Sequence, residues 1–268
     1  MITWWQWFGR EIGAVRSGQL CFECNICDHR CMQTLAAIHR ESPPCPRCGA
    51  TLRHRALIRL LALHCFGRSL ALPSFPRRAD LRGAGMSDWE GFASPLAQRL
   101  SYTNTYYHQE PRLDILNIPA DWMGTLDFLL SSDVLEHVVA PVARAFVNAR
   151  RLLKPGGVFI LTVPWVPEGE TREHFPELHD YEILEPGTPG AVLRNRTRDG
   201  RVQEFRELVF HGGAGATLEL RVFSRAGLLR DLEQAGFENI RIHDEPDLPH
   251  GIHWADPWSL PITAQAPR

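Results

Sequence analysis

Six of the seven cysteines lie between Cys21 and Cys48, and their spacing is that of a metal site. Cys24-x2-Cys27 is separated by seventeen residues from Cys45-x2-Cys48. Two thiolates three positions apart on a tight turn offer both sulfurs to one ion, and two such turns complete a tetrahedron with Zn–S near ~2.3 Å. Pro46 and Gly49 shape the second turn. All four ligands of this zinc site would be protein groups, which makes it structural rather than catalytic. Cys21-x2-Cys24 has the same spacing and can shift the first knuckle, and Cys31, His29 and His39 are further donors. A disulfide framework is the rival, and it needs an oxidising compartment. Cys65 stands apart and suits a small core position. Arg47, Arg53, His54, Arg55 and Arg59 follow the second knuckle. They form either a solvated helix face or a patch that positions a substrate.

A second set of chemically capable residues lies further along. Residues 126–138 read Leu-Asp-Phe-Leu-Leu-Ser-Ser-Asp-Val-Leu-Glu-His-Val, and residues 150–157 read Arg-Arg-Leu-Leu-Lys-Pro-Gly-Gly ahead of the apolar run 158–164. In order and separation these resemble the fourth strand, its loop, the next helix and turn, and the fifth strand of class I S-adenosylmethionine (SAM)-dependent methyltransferases. The likeness is close over about residues 110–165, and the Cys-Pro-x-Cys-Gly stretch running on to Arg55 is similar to a bacterial subgroup with a zinc ribbon ahead of this domain. The resemblance implies SAM as cofactor, bound at the carboxyl ends of the strands. Gly83 and Gly85 then form the glycine turn where backbone meets the cofactor. Glu110 or Gln109 takes the ribose position, Asp114 the adenine side, and Ser131, Ser132 and Asp133 border the cofactor. For Gly83 and Gly85 an ordinary turn is the alternative, and for Asp114 a turn cap. Methyl transfer from a sulfonium needs an in-line nucleophile held close, and a base only for a hydroxyl or a protonated amine. His137, His179 and His211 are the candidates to line the acceptor pocket, with His174, Asp180 and Glu219 nearby in sequence. Gly212, Gly213 and Gly215 form either a mobile cover or a turn.

The elements that must position these residues follow from pattern. Residues 53–66 read as a helix with Leu57, Leu60, Leu61 and Leu63 for burial, and Pro73 and Pro76 mark a linker. Strands are predicted at 79–86, 100–107, 126–131 and 158–163, the buried runs being apolar throughout as parallel strands require. Residues 141–153 and 225–235 read as helices, the second closed by Gly236. Asp199-Gly200 is a hairpin signal between residues 192–197 and 202–208. Residues 237–242 and 261–266 complete the sheet as an antiparallel pair. The sum is an α/β, Rossmann-like, doubly wound and mostly parallel seven-stranded sheet. Its divisions are residues 1–52 for the N-terminal segment and zinc ribbon, 53–76 for helix and linker, and 77–268 for the methyltransferase domain. The hairpin insertion occupies about 166–222.

The 268 residues are 44% hydrophobic, ample for a large core. The formal charge is −2, so no global field draws the chain to nucleic acid or anionic membrane. Of 29 basic residues, Lys154 alone is Lys. No apolar run reaches the ~18 residues of a membrane span, and residues 1–15 lack the pattern of a signal peptide. A cytoplasmic location is expected. Trp4, Trp5, Trp7 and Phe8 suit packing against the body of the protein, or else an interface. A SAM-dependent methyltransferase acting on a small-molecule or saccharide acceptor is therefore expected. The alternatives are an RNA methyltransferase with a zinc recognition module, against which the acidic balance speaks, and an inactive zinc-ribbon interaction protein.

Overall fold

A computed structural model describes residues 11–211 and 217–268. Trp4, Trp5, Trp7, Phe8, Gly212, Gly213 and Gly215 lie outside the described residues.

The chain opens with three short antiparallel strands, β1 (Val15–Arg16), β2 (Gln19–Glu23) and β3 (Arg30–Thr34). Helix α1 (Leu52–Phe66) follows; Thr51 donates its backbone N–H to His54 Nδ1 at 3.3 Å, and Gly67 ends the helix at φ +70°. The central sheet then begins with β4 (Arg78–Met86), α2 (Glu90–Ala97), β5 (Leu100–Thr105), β6 (Leu126–Ser132), α3 (Ala143–Leu152) and β7 (Leu153–Thr162). An excursion runs through β8 (Trp165–Val166), β9 (Arg172–Glu173), β10 (Asp180–Leu184), β11 (Val192–Arg196), β12 (Val202–Phe205), β13 (Phe210–His211), β14 (Thr217–Leu218) and β15 (Arg221–Ser224). Helix α4 (Arg225–Gln234), β16 (Glu238–Ile242) and β17 (Ile262–Gln265) complete the chain.

The main sheet has six strands in the order β16-β17-β7-β6-β4-β5, the last four parallel and the other two antiparallel. The expected seventh strand is absent among the described residues. The segment after β5 makes one isolated parallel bridge, Tyr106 to Arg112, and then turns. Pro111 and Pro119 have no N–H for a ladder, and Asp114 accepts from Leu116 N at 2.9 Å and Asn117 Nδ2 at 2.8 Å, which holds a turn instead.

Alternation divides β6 and β7 between two cores. Phe128, Leu130, Val158 and Ile160 face α1 and α2, whereas Leu129, Phe159 and Leu161 face α3 and α4. The core on the α1 side runs without a break into the N-terminal strands through Leu20, Phe22, Cys24 and Ile26. The 53–66 stretch is thus a sheet-facing helix as well as a link. The predicted turn at Lys154-Pro155-Gly156-Gly157 lies inside β7 as a bulge, with Gly156 at φ +76°. The hairpin at Asp199-Gly200 gains β10 as a third strand, and this small sheet is separate from the main one. Within the terminal pair β16 is the edge, and β17 pairs with β7.

Candidate functional site

The four sulfurs of Cys24, Cys27, Cys45 and Cys48 converge within 4.8 Å of one another. Cys24 Sγ is 3.7 Å from Cys48 Sγ, and Cys27 Sγ is 3.8 Å from Cys45 Sγ. Those are non-bonded separations, and all seven cysteines are free thiols. A tetrahedron with Zn–S bonds of ~2.3 Å has edges of about 3.8 Å. The donor set therefore fits zinc. Cys31 also approaches, with its Sγ 3.7 Å from Cys45 Sγ, whereas Cys21 faces Arg30 Nε at 3.4 Å. The thiol of Cys48 is lowered to about 5 by the hydrogen bond it accepts from Cys24, so one thiolate is already favoured in the cluster.

The basic run behind this cluster does not form an open patch. Arg55 is fully buried, lies over the Phe22 ring at 4.9 Å, and donates to Ala50 O and Gly251 O at 3.0 Å each. His54 is buried and stacks on Trp89 at 4.6 Å, and Arg59 pairs with Asp247 at 2.9 Å. Arg53 reaches across to the end of β6, where it donates to Ser132 Oγ and lies 3.4 Å from Asp133 Oδ2. Arg40 pairs with the other oxygen of Asp133 and donates to Ser259 O at 3.3 Å. Burial pushes the Asp133 carboxyl up, but Arg40 and Arg53 more than offset this and hold it below the usual range.

The sheet reverses strand order between β4 and β6, and that is where a doubly wound sheet binds its ligand. Ser131 and Ser132 end β6 there, and Asp133 follows directly. Both flanking turns contain a non-glycine residue at positive φ, Ser87 at 56° and Asp133 at 55°. Gly83 and Gly85, expected in the turn, instead lie within β4. Their smallness serves packing: a Cβ on Gly83 would meet the Phe128 ring at 2.1 Å, and one on Gly85 would meet Tyr102 OH at 2.0 Å and Asp88 Oδ2 at 2.1 Å. Glu110 is exposed and accepts from Arg112 N at 2.9 Å, a local turn contact. Among the described residues, two buried atoms at these strand ends have no hydrogen-bond partner, Ser131 Oγ and Asp88 Oδ1. Buried polar atoms are rarely left so, and both are available to a polar ligand or a water. Burial pushes the Asp88 carboxyl up to about 7, against the hydrogen bond it accepts from Tyr102 OH at 2.7 Å.

Two of the three candidate histidines meet. The rings of His137 and His211 lie edge to face, 5.0 Å apart, and both flank Glu136. His211 Nε2 contacts Glu219 Oε2 at 2.9 Å, and His174 Nε2 contacts Glu219 Oε1 at 2.8 Å. Burial lowers the His137 imidazole. His179 stands apart: it is exposed, its backbone N–H bonds Asn195 Oδ1, and it makes no hydrogen bond, ion pair or ring contact with the other two. Sequence reasoning passed over Asp88, Arg40 and Glu136. Glu136 sits inside the quoted Leu-Glu-His and was legible as a carboxylate beside a histidine, but its burial was not.

The fold and the strand-end loop define an α/β protein of Rossmann-like topology. Residues 97–161 match the family described as methyltransferase domain, so this segment is a methyltransferase domain of the class I SAM-dependent kind that its residues resembled. No curated protein matches the chain. Among solved structures, a sugar N-methyltransferase, KedS8 from Streptoalloteichus sp., is similar at 12% identity over 79% of this chain and 85% of that one, with a TM-score of 0.45. The Burkholderia thailandensis 1,6-didemethyltoxoflavin-N1-methyltransferase, with 1,6-didemethyltoxoflavin and S-adenosylhomocysteine bound, is 14% identical over 79% and 77%, with a TM-score of 0.43. The CurJ carbon methyltransferase is 15% identical over 74% of this chain, which spans about half of that one (51%), with a TM-score of 0.43.

Proposed function

We propose that this chain is a SAM-dependent methyltransferase acting on a small-molecule or saccharide acceptor, with a structural zinc held by Cys24, Cys27, Cys45 and Cys48. The observation that carries it is the strand-end loop Ser131–Ser132–Asp133 at the reversal of strand order, inside a segment that matches the methyltransferase domain. Bound SAM supplies an electrophilic methyl group on a sulfonium. The chain's part is to hold the cofactor and exclude water. Ser131 Oγ and Asp88 Oδ1 are the unpartnered polar atoms available to it. Arg40 and Arg53 are the cations beside Asp133 that can receive a carboxylate. His137 and His211, whose rings meet edge to face, are the acceptor-side imidazoles. The internal engagement of Arg53, Arg55 and Arg59 speaks against an RNA-binding stripe. Among the described residues no helix is long and apolar enough to cross a membrane.

One observation favours the inactive reading. The space over Gly85 is filled by Asp88 and Tyr102, and Ser132 and Asp133 are held by Arg53 and Arg40. Titration calorimetry of the zinc-loaded protein with SAM separates the two. Binding at micromolar affinity supports the methyltransferase reading, and no heat overturns it. Transfer of tritiated methyl to fractionated small molecules, glycans, RNA and protein then assigns the acceptor class.

A further inference from the structure

Glu136 has no counter-charge in bonding contact. Its side chain is fully buried in the turn after β6, and neither carboxylate oxygen has a hydrogen-bond partner among the described residues. The atoms nearest to it are themselves ring nitrogens. His137 Nε2 lies 3.7 Å and His211 Nδ1 3.8 Å from Glu136 Oε1, too far for hydrogen bonds. The opposite nitrogen of each ring fixes its tautomer. His137 Nδ1 lies 2.8 Å from Leu218 O, which only accepts, so Nδ1 carries the proton. His211 Nε2 lies 2.9 Å from Glu219 Oε2, so Nε2 carries the proton there. Both nitrogens facing Glu136 therefore present lone pairs. A buried carboxyl and two imidazole lone pairs converge; burial and the nearby Asp133 push the Glu136 carboxyl well above its usual range, and either its own proton or a bound cation can sit between it and the two lone pairs.

We propose that Glu136, His137 and His211 form a second metal site, distinct from the cysteine cluster, for a divalent first-row cation such as Mn2+, Fe2+ or Zn2+. The three ligand atoms lie within 4.8 Å of one another. Co-ligands at bond lengths of ~2.1 Å on a tetrahedral ion sit about 3.4 Å apart, so the two Glu136–histidine separations of 3.7 and 3.8 Å need only a few tenths of an ångström of closure. Oxygen with two imidazoles suits borderline divalent ions. The contacts behind the ligands are those that metal sites use: a backbone carbonyl on one histidine and a carboxylate on the other. Glu219 also grips His174 at 2.8 Å, and Leu220 N donates to Glu136 O at 2.9 Å, which ties the β14–β15 segment to the turn. Three protein ligands leave a position open. An acceptor hydroxyl or amine is the ligand class for that position, a step that rests on the methyltransferase reading; the metal site itself does not.

The test uses full-length protein loaded with one equivalent of zinc. Mn2+ suits it because thiolates bind this ion poorly. Wild type titrated with Mn2+, with the free ion read by electron paramagnetic resonance, should take up one equivalent. Glu136→Gln, close in shape and free of the buried charge, and His211→Ala should each weaken uptake at least about tenfold. Circular dichroism verifies that both variants are folded, and Mn2+ should raise the melting temperature of wild type alone. Uptake of neither Mn2+ nor a second zinc by wild type overturns the site, as does wild-type affinity in both folded variants. A protein that binds SAM but no second metal loses this inference and keeps the cofactor. One that binds Mn2+ but no SAM does the reverse.

Discussion

Asp88 is an acid placed where charge is costly. Its carboxyl is raised to about 7 by burial, while the unfolded chain holds it near 3.8. The folded state therefore keeps its proton over that interval while the unfolded state loses it, and stability falls as pH rises from about 4 to about 7. The shift corresponds to about 4 kcal/mol at most. Asp88→Asn removes the titration and keeps an acceptor for Tyr102. Urea unfolding at several pH values should show the variant gaining on wild type as pH rises, with the difference levelling off above pH 7. Parallel profiles for the two proteins would remove this account of Asp88. Asp133 behaves oppositely, because its carboxyl is held below the usual range. Its contribution is present above about pH 4 and lost as pH falls further. Asp133→Asn leaves Arg40 and Arg53 sharing Glu41 alone, at a cost of about 3 kcal/mol, seen as a lower urea midpoint at pH 7 that converges on wild type in acid.

At the scale of elements, β4 shows how one residue type serves two different needs. Glycines near the end of a first strand suggest a cofactor turn. Here they lie inside β4, and Phe128 and the Asp88–Tyr102 pair occupy the space a Cβ would need. Gly83→Ala should destabilise by about 1–3 kcal/mol through overpacking against Phe128. Denaturant melts check this, and an unchanged midpoint would mean that the ring moves freely aside. The strands of the sheet were legible because apolar runs of about six residues bounded by turn signals have few other uses. The sheet has six strands and not the expected seven, because Pro111, Pro119 and the Asp114 turn leave the segment between β5 and β6 without a ladder. The bulge at Gly156 was read as a turn because φ > 0 fits either.

For the molecule as a whole, the N-terminal strands and the main sheet share one core from Leu20 through Leu57 to Ile160. The Arg40 and Arg53 contacts to β6 add a polar clasp across the same boundary. Stripping zinc from the cysteine cluster should therefore lower the melting temperature of a single transition, followed by calorimetry with and without chelator. Two transitions, the upper one unmoved, would show that the module and the sheet unfold independently.

The sequence by itself determined the four-cysteine cluster, the alternation of strands and helices, and the strand-end loop at Ser131–Asp133. Each of these is a local signal, a spacing or a period that the backbone reads directly. The tertiary structure alone decided where Arg40 and Arg53 end up, which glycines pack rather than turn, and that Glu136 meets His137 and His211. Those facts depend on side chains brought together from positions 79 and 93 residues apart, as with Arg53 to Ser132 and Arg40 to Asp133. Burial and pairing at such distances are set by packing, which no window of sequence contains.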